Sequence, residues 1–158
     1  MNANYAILME KQFEFFFANM LVLIKFILIL HYIMKTFKKK YTIDVPLDEV
    51  YEALVEPELI REWSGAEAEM DIKPNGTFSL WGGSIHGVNL YITKNQIIQD
   101  WKEDIWEDYS RVIFNLSEEK GTTTIDIVHE LIPPRGFKSI IKGWDEYYMG
   151  PLKAFLES

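Results

Sequence analysis

Six short strand-like runs follow one another in the middle of the chain, and they constrain its fold more than any other feature. Turn-forming residues separate the runs, for example Asn75 with Gly76, and Gly82 with Gly83, which permit the positive φ angles of a tight hairpin. Such short connections predict an antiparallel meander, because a parallel neighbour needs a crossover of about a dozen residues or more. The predicted strands are residues 67–72, 76–81, 85–93, 96–105, 109–117 and 121–132.

A further strand and two short helices are predicted before this meander. Residues 37–45 alternate as a strand does, and Pro46 and Pro57 each suit the first turn of a helix, where a missing N–H is harmless. We expect both helices to pack at the mouth of the sheet. The apolar stripe of the first helix consists of Leu47, Val50, Tyr51 and Leu54.

A long amphipathic helix is predicted for residues 136–157, after two prolines end the last strand. Pro151 is expected to kink this helix, because proline lacks an N–H and clashes with the carbonyl group four residues earlier. One face of the helix carries Phe137, Ile141, Trp144, Tyr148, Leu152 and Phe155. The element order therefore predicts an α+β fold in which a curved antiparallel sheet wraps around the C-terminal helix.

Three sequence blocks add a family resemblance to this pattern. Residues 75–87 contain Phe78, Trp81 and the glycine pair, residues 97–101 end in Trp101, and residues 142–148 contain Trp144. In that order they resemble the C-terminal domain of the activator of heat-shock protein 90 ATPase, a member of the START-like, helix-grip superfamily. The resemblance covers about residues 37–158 and implies the helix-grip fold.

The resemblance also implies a function as a co-chaperone-like domain that binds heat-shock protein 90 and modulates its ATPase. The two-domain activators carry a separate N-terminal domain that makes much of the contact with the chaperone, and nothing in this sequence corresponds to it. Weak, salt-sensitive binding is therefore expected. The alternative function is a non-enzymatic carrier or sensor of a small hydrophobic ligand, since a sheet that grips a helix commonly leaves an apolar cavity.

The amino-acid composition of the chain argues against several kinds of catalytic and binding site. The chain has no cysteine and only three widely spaced histidines, so neither a thiolate site nor a zinc site is expected. No nucleophile–base set or phosphate-binding loop is evident, and we predict no enzyme activity, cofactor or metal. Residues 41–158 carry a net charge of −12, which argues against nucleic acid and favours a basic protein surface as a partner.

Five residues are candidates for lining a ligand cavity. His129 lies on the same strand parity as Ile127 and Leu131, so we expect it to face the space between sheet and helix as a polar anchor. The alternative is a core histidine whose ring is hydrogen-bonded by a neighbouring hydroxyl group, such as that of Tyr148. The candidates are Trp81, Trp101, His129, Trp144 and Tyr148.

An acidic segment at the end of one strand provides candidates for partner binding. Trp106 is interpreted either as an exposed contact residue or as a lid over the edge of the sheet. Its acidic neighbours are interpreted either as contacts to a basic partner or as a solvated face of the strand. The candidates are Glu103, Asp104, Trp106, Glu107 and Asp108.

Residues 1–36 form an apolar leader that differs from the rest of the chain. Residues 15–34 are long enough to cross a bilayer, although Lys25 lies at their middle, and a lysine run follows them. The leader is interpreted as a single membrane anchor, as a helix that packs on a partner, or as sequence upstream of a true start at Met34. We favour the last and expect residues 1–33 to be dispensable for a cytoplasmic domain at 37–158. An inserted leader would leave the domain on the cytoplasmic side as well.

Overall fold

The computed structural model describes residues 3–158, with side chains described for residues 7–29 and 33–158. The chain forms two compact units that divide between Met34 and Lys35. The first unit contains helix α1 (Ala3–Ile33), in which the 23 residues Ile7–Ile29 are long and apolar enough to cross a membrane. Because a signal sequence near the N-terminus passes the same test of length and composition, the three interpretations of the leader stay predictions.

The second unit, Lys35–Ser158, is an α+β domain. Its C-terminal helical segment runs as α4 (Phe137–Gly143), a π-helical turn (Trp144–Met149) and α5 (Gly150–Leu156). The preceding elements are β1 (Lys35–Ile43), α2 (Leu47–Val55), α3 (Pro57–Ser64), β2 (Glu69–Met70), β3 (Thr77–Leu80), β4 (Ile85–Thr93), β5 (Gln96–Glu103), β6 (Ser110–Glu119) and β7 (Thr122–Ile132).

All seven strands of this unit pair antiparallel, in the order β1-β7-β6-β5-β4-β3-β2. The predicted curved sheet around a C-terminal helix, with two short helices after the first strand, is therefore confirmed. The unit begins two residues before the predicted start, because Lys35 already pairs with Ile132. The predicted strand at 67–72 is reduced to the two residues of β2.

The connection between β3 and β4 is wider than a two-residue hairpin turn. β3 ends at Leu80, one residue earlier than predicted, and Trp81–Gly83 form a short 3₁₀ turn. Trp81, Gly82 and Gly83 all have positive φ angles, of 50°, 64° and 99°. A positive φ is free for glycine but strained for a bulky residue, so this turn fixes the Trp81 backbone in an uncommon conformation.

A bulge near the end of β7 overturns one orientation predicted from strand parity. Phe37 pairs with His129 whereas Lys35 pairs with Ile132, so β7 contains one extra residue between these pairs. Leu131 takes a left-handed φ of 57° there and lies on the surface. The inward orientation predicted for Leu131 was wrong, because the bulge reverses the alternation and gives the buried position to Ile132.

The C-terminal helix accommodates Pro151 through the π-helical turn that precedes it. The Gly150 N–H donates to the Asp145 carbonyl, five residues back instead of four. A Cβ at Gly150 would lie 2.5 Å from that carbonyl oxygen, so glycine permits this close approach. The expected effect of Pro151 thus takes the form of a wider helical turn.

The outer strand β1 is rich in lysine. Lys38 is exposed, Lys39 pairs with Asp145 at 2.6 Å and Lys40 pairs with Asp126 at 3.5 Å. The lysine run is therefore part of the folded domain, and it places positive charge along one edge of the sheet.

Candidate functional site

An aromatic cluster lies between the sheet and the C-terminal helix. Trp101 of β5 stacks on Trp144 of the π turn, with ring centroids 5.2 Å apart and planes inclined by 26°. Tyr148 lies one turn beyond Trp144, and its ring centroid is 4.9 Å from those of both Trp144 and Trp63. Strand β5 and the π turn therefore bring together aromatic residues that are distant in sequence.

A cavity of about 380 Å³ lies beside this cluster. Its volume falls within the range of small-molecule sites. Trp81, Trp101, Trp144 and Tyr148, four of the five candidates, are on its wall. The remaining wall residues are Ser84, Ile85, Glu103, Ser139, Ile140, Gly143 and Tyr147.

His129, the fifth candidate, is fully buried and does not line the cavity. Its Nδ1 accepts a hydrogen bond from the Trp144 indole N–H at 3.1 Å, so the ring proton is on Nε2, which donates to the Ser110 hydroxyl at 2.8 Å. Ser110 donates in turn to the Trp101 carbonyl at 3.2 Å. Burial lowers the pKa of His129 to about 3. His129 is therefore a neutral core histidine and not a ligand anchor. The hydroxyl group that hydrogen-bonds its ring is that of Ser110, and not that of Tyr148 as suggested from the sequence.

A second buried polar chain supports Trp101 from the other side, and the sequence analysis missed it. The Trp101 indole N–H donates to Gln99 Oε1 at 2.8 Å, and Gln99 Nε2 donates to Asn89 Oδ1 at 2.7 Å. Asn89 Nδ2 donates to the Asp71 carbonyl at 2.9 Å. Gln99 shares the parity of Ile97 and Trp101, and an amide on an otherwise apolar strand face was the available signal.

The loop after β5 turns Trp106 inward. Trp106 is 6% exposed, and a Cβ added at Gly136 would lie 3.0 Å from its indole ring. Its backbone N–H donates to the Glu103 carbonyl at 3.0 Å, which closes the turn. The exposed-contact interpretation of Trp106 is therefore wrong, since the ring covers the loop around Gly136. Ile105 is the outward side chain instead, at 83% exposure.

The structure separates the acidic candidates into two locations. Asp104, Glu107 and Asp108 are exposed in the loop beside Ile105. Glu103 is half-buried on the cavity wall, and burial raises the pKa of its carboxyl group. The loop acids are exposed to solvent, with Asp104 Oδ1 3.8 Å from His86 Nδ1, whereas Glu103 lies on the cavity wall.

The two buried tryptophans of this region are expected to respond differently to replacement by phenylalanine. Trp101→Phe would leave Gln99 Oε1 without its donor, whereas the Trp106 indole nitrogen has no hydrogen-bond partner among the described residues. We therefore expect Trp101→Phe to lower the free energy of unfolding by about 2 kcal/mol more than Trp106→Phe does. Urea unfolding of the two variants measures the difference, and an equal loss would contradict these assignments.

A curved antiparallel sheet around a C-terminal helix, with a cavity between them, is the helix-grip fold of START-like proteins. Residues 44–157 match the family described as Activator of Hsp90 ATPase homolog 1-like protein. The chain belongs to this family, and its second unit is an Hsp90-activator-like domain.

Two curated proteins are similar to this chain. The chain is 29% identical over 123 residues to an Activator of 90 kDa heat shock protein ATPase homolog of Dictyostelium discoideum, covering 75% of this chain and 32% of that protein. It is 29% identical over 119 residues to protein C1711.08 of Schizosaccharomyces pombe, covering 73% of this chain and 35% of that protein. The chain thus spans about a third of the length of these curated relatives.

A solved structure covers nearly the same domain. PFC0360w, an HSP90 activator from Plasmodium falciparum, superimposes with a TM-score of 0.72 at 27% identity. The match covers 77% of this chain and 95% of that one.

Proposed function

We propose that the domain Lys35–Ser158 binds Hsp90 and modulates its ATPase, without enzyme activity of its own. The observation that carries the proposal is its likeness to PFC0360w, because the match covers 95% of the solved chain of that Hsp90 activator. The family assignment supports the same function.

The loop after β5 is the surface that we propose for the contact. It presents the exposed Ile105 among the carboxylates of Asp104, Glu107 and Asp108. An apolar tip among like charges suits a basic surface with an apolar recess, because the charges steer the encounter and the side chain becomes buried on binding. Trp106 contributes indirectly, since its burial turns Ile105 outward.

Neutralising the loop is expected to weaken chaperone binding. In the variant Asp104→Asn/Glu107→Gln/Asp108→Asn, we expect the affinity for Hsp90 of the same organism to fall about tenfold at low salt, because electrostatic attraction between the partners is lost. Calorimetry at low and high salt measures the binding, and a coupled assay measures the ATPase rate.

The matched control is Glu49→Gln/Glu52→Gln/Glu62→Gln. These three carboxylates are exposed on α2 and α3, and none of them is in an ion pair among the described side chains. The control removes the same charge and should bind as the original chain does. An equal loss in both variants would reject the loop as the contact surface, and no binding of the original chain at low salt would reject the function.

We also propose a cytoplasmic location for the domain. Hsp90 activation requires access to the chaperone, and the acidic exterior of residues 41–158 suits an aqueous compartment. The proposal holds whether or not α1 inserts in a membrane, since the lysines after it favour the cytoplasmic side.

A further inference from the structure

The cavity wall contains a single charged side chain. Glu103 lies there beside Trp81, Trp101 and Trp144, and every other wall residue is aromatic, aliphatic, a serine or a glycine. No Lys, Arg or His side chain forms an ion pair with Glu103 in the described part of the chain. The half-buried carboxylate therefore lacks the cationic partner that such groups usually have.

The aromatic rings around the cavity are suited to a cation. The electron-rich faces of tryptophan and tyrosine attract ammonium groups, most strongly where water is excluded. Five of the eleven wall residues are Trp or Tyr, and the stacked pair Trp101 and Trp144 forms the deepest-buried part of the wall. Flat rings also offer a broad apolar surface to the remainder of a ligand.

One more polar group on the wall is unpaired. Tyr148 is 5% exposed, and its hydroxyl has no hydrogen-bond partner among the described residues. Burial raises the pKa of this hydroxyl, so it remains protonated and can both donate and accept a hydrogen bond. The buried polar network of His129 and Ser110 does not reach it.

We propose that this cavity binds a small organic cation, an amine or quaternary ammonium group attached to a flat apolar body. The ammonium group would pair with Glu103 and contact the ring of Tyr147, while the apolar body packs on Trp81; these are the two least buried aromatic rings of the wall. An anion would be repelled by the carboxylate, and an uncharged ligand would leave that carboxylate desolvated without a partner. The proposal does not rest on chaperone binding, because the cavity carboxylate is Glu103 whereas the proposed contact surface is the exposed loop that follows it.

Calorimetry with three probes that share a naphthalene body tests the charge preference. The probes are naphthylmethyl-trimethylammonium, the uncharged naphthylacetamide and the anion naphthylacetate. The full-length chain is held in nanodiscs of zwitterionic lipid, and empty nanodiscs supply the heats to subtract. We expect the cation to bind about tenfold more tightly than the amide, and the anion to bind weakest.

Two substitutions and one control locate the site. Glu103→Gln keeps the shape of the side chain and should lower the affinity for the cation about tenfold, with the amide changed by less than about twofold. Tyr147→Ala, at a ring that is 59% exposed, should weaken cation binding without disturbing the core. Glu49→Gln removes the same charge from the exposed face of α2 and should leave cation binding unchanged.

Three results would overturn the proposal. They are equal or tighter binding of the amide, unchanged cation affinity in Glu103→Gln, and no binding of any probe up to millimolar concentration. Circular dichroism of each variant separates a lost site from a lost fold, and the Tyr147 variant keeps the proposal testable if Glu103→Gln fails to fold.

Discussion

Replacing Gly87 by alanine is expected to lower the free energy of unfolding by about 3 kcal/mol. Gly87 is buried in β4, where it pairs with Phe78 of β3 on one side and Trp101 of β5 on the other. An added Cβ would overlap the backbone carbonyl oxygen of Asp100 and lie 2.9 Å from the end of the Phe78 ring. The backbone of paired strands cannot yield as a flexible side chain can, so the strain would spread across the sheet.

Thermal and urea unfolding measure this loss, and Gly143→Ala provides a matched control. Gly143 ends α4, and a Cβ there would meet nothing within 4 Å. The control should therefore be stabilised by roughly 0.5–1 kcal/mol, because alanine favours the helix. A Gly87→Ala variant as stable as the original chain would show that β4 and β5 are not as closely paired as described.

We expect acid to destabilise the domain through His129 already at pH values above the pKa that this residue has in the folded state. The folded state holds His129 neutral down to a pKa of about 3, whereas in the unfolded chain the ring takes up a proton below about pH 6.5. As the pH falls between these values, protons bind the unfolded state alone and stability is lost. At about pH 4.5 the contribution of this residue should have fallen by roughly 3 kcal/mol relative to pH 7.

Comparison with His129→Gln isolates this effect. Glutamine offers one acceptor and one donor group to Trp144 and Ser110 but does not titrate. Asp145 also loses stabilising contacts in acid, since its pKa is lowered by hydrogen bonds from Lys39 and Tyr41, but this loss is common to both proteins. Urea unfolding from neutral to acidic pH should therefore give a steeper decline for the original chain, and parallel curves would contradict the neutral buried histidine.

Element types and order were predictable because they depend on local chemistry. The meander follows from turn residues such as Gly121 between β6 and β7, and the helix starts follow from Pro57 and the apolar spacing after Pro46. The β7 bulge was not predictable, because Leu131 carries no local signal for an extra residue and the bulge arises from pairing with β1. For the π turn, Pro151 signalled a disturbed helix, but the sequence did not show that the disturbance would be a wider turn.

The same distinction between local and distant causes applies to the residues of the candidate site. Trp101, Trp144 and Tyr148, which were candidates for the cavity in the sequence, lie between sheet and helix. Neither strand parity nor helix spacing distinguishes an inward side chain that reaches a cavity from one that is hydrogen-bonded within the core. His129 was assigned to the cavity on strand parity alone. Glu103 joins the cavity wall because β5 ends there, next to a turn whose geometry depends on the burial of Trp106.

The two outer strands bear on how the domain behaves when many copies are crowded together. Two copies that met along β1 would bring the side chains of Lys35, Lys38 and Lys40 close to their own counterparts, and like charges across paired strands repel. The opposite edge, β2, offers the backbone groups of Glu69 and Met70 alone. Neither edge is a good template for adding a foreign strand, so fibril growth and capture of extended peptides are both disfavoured along this sheet.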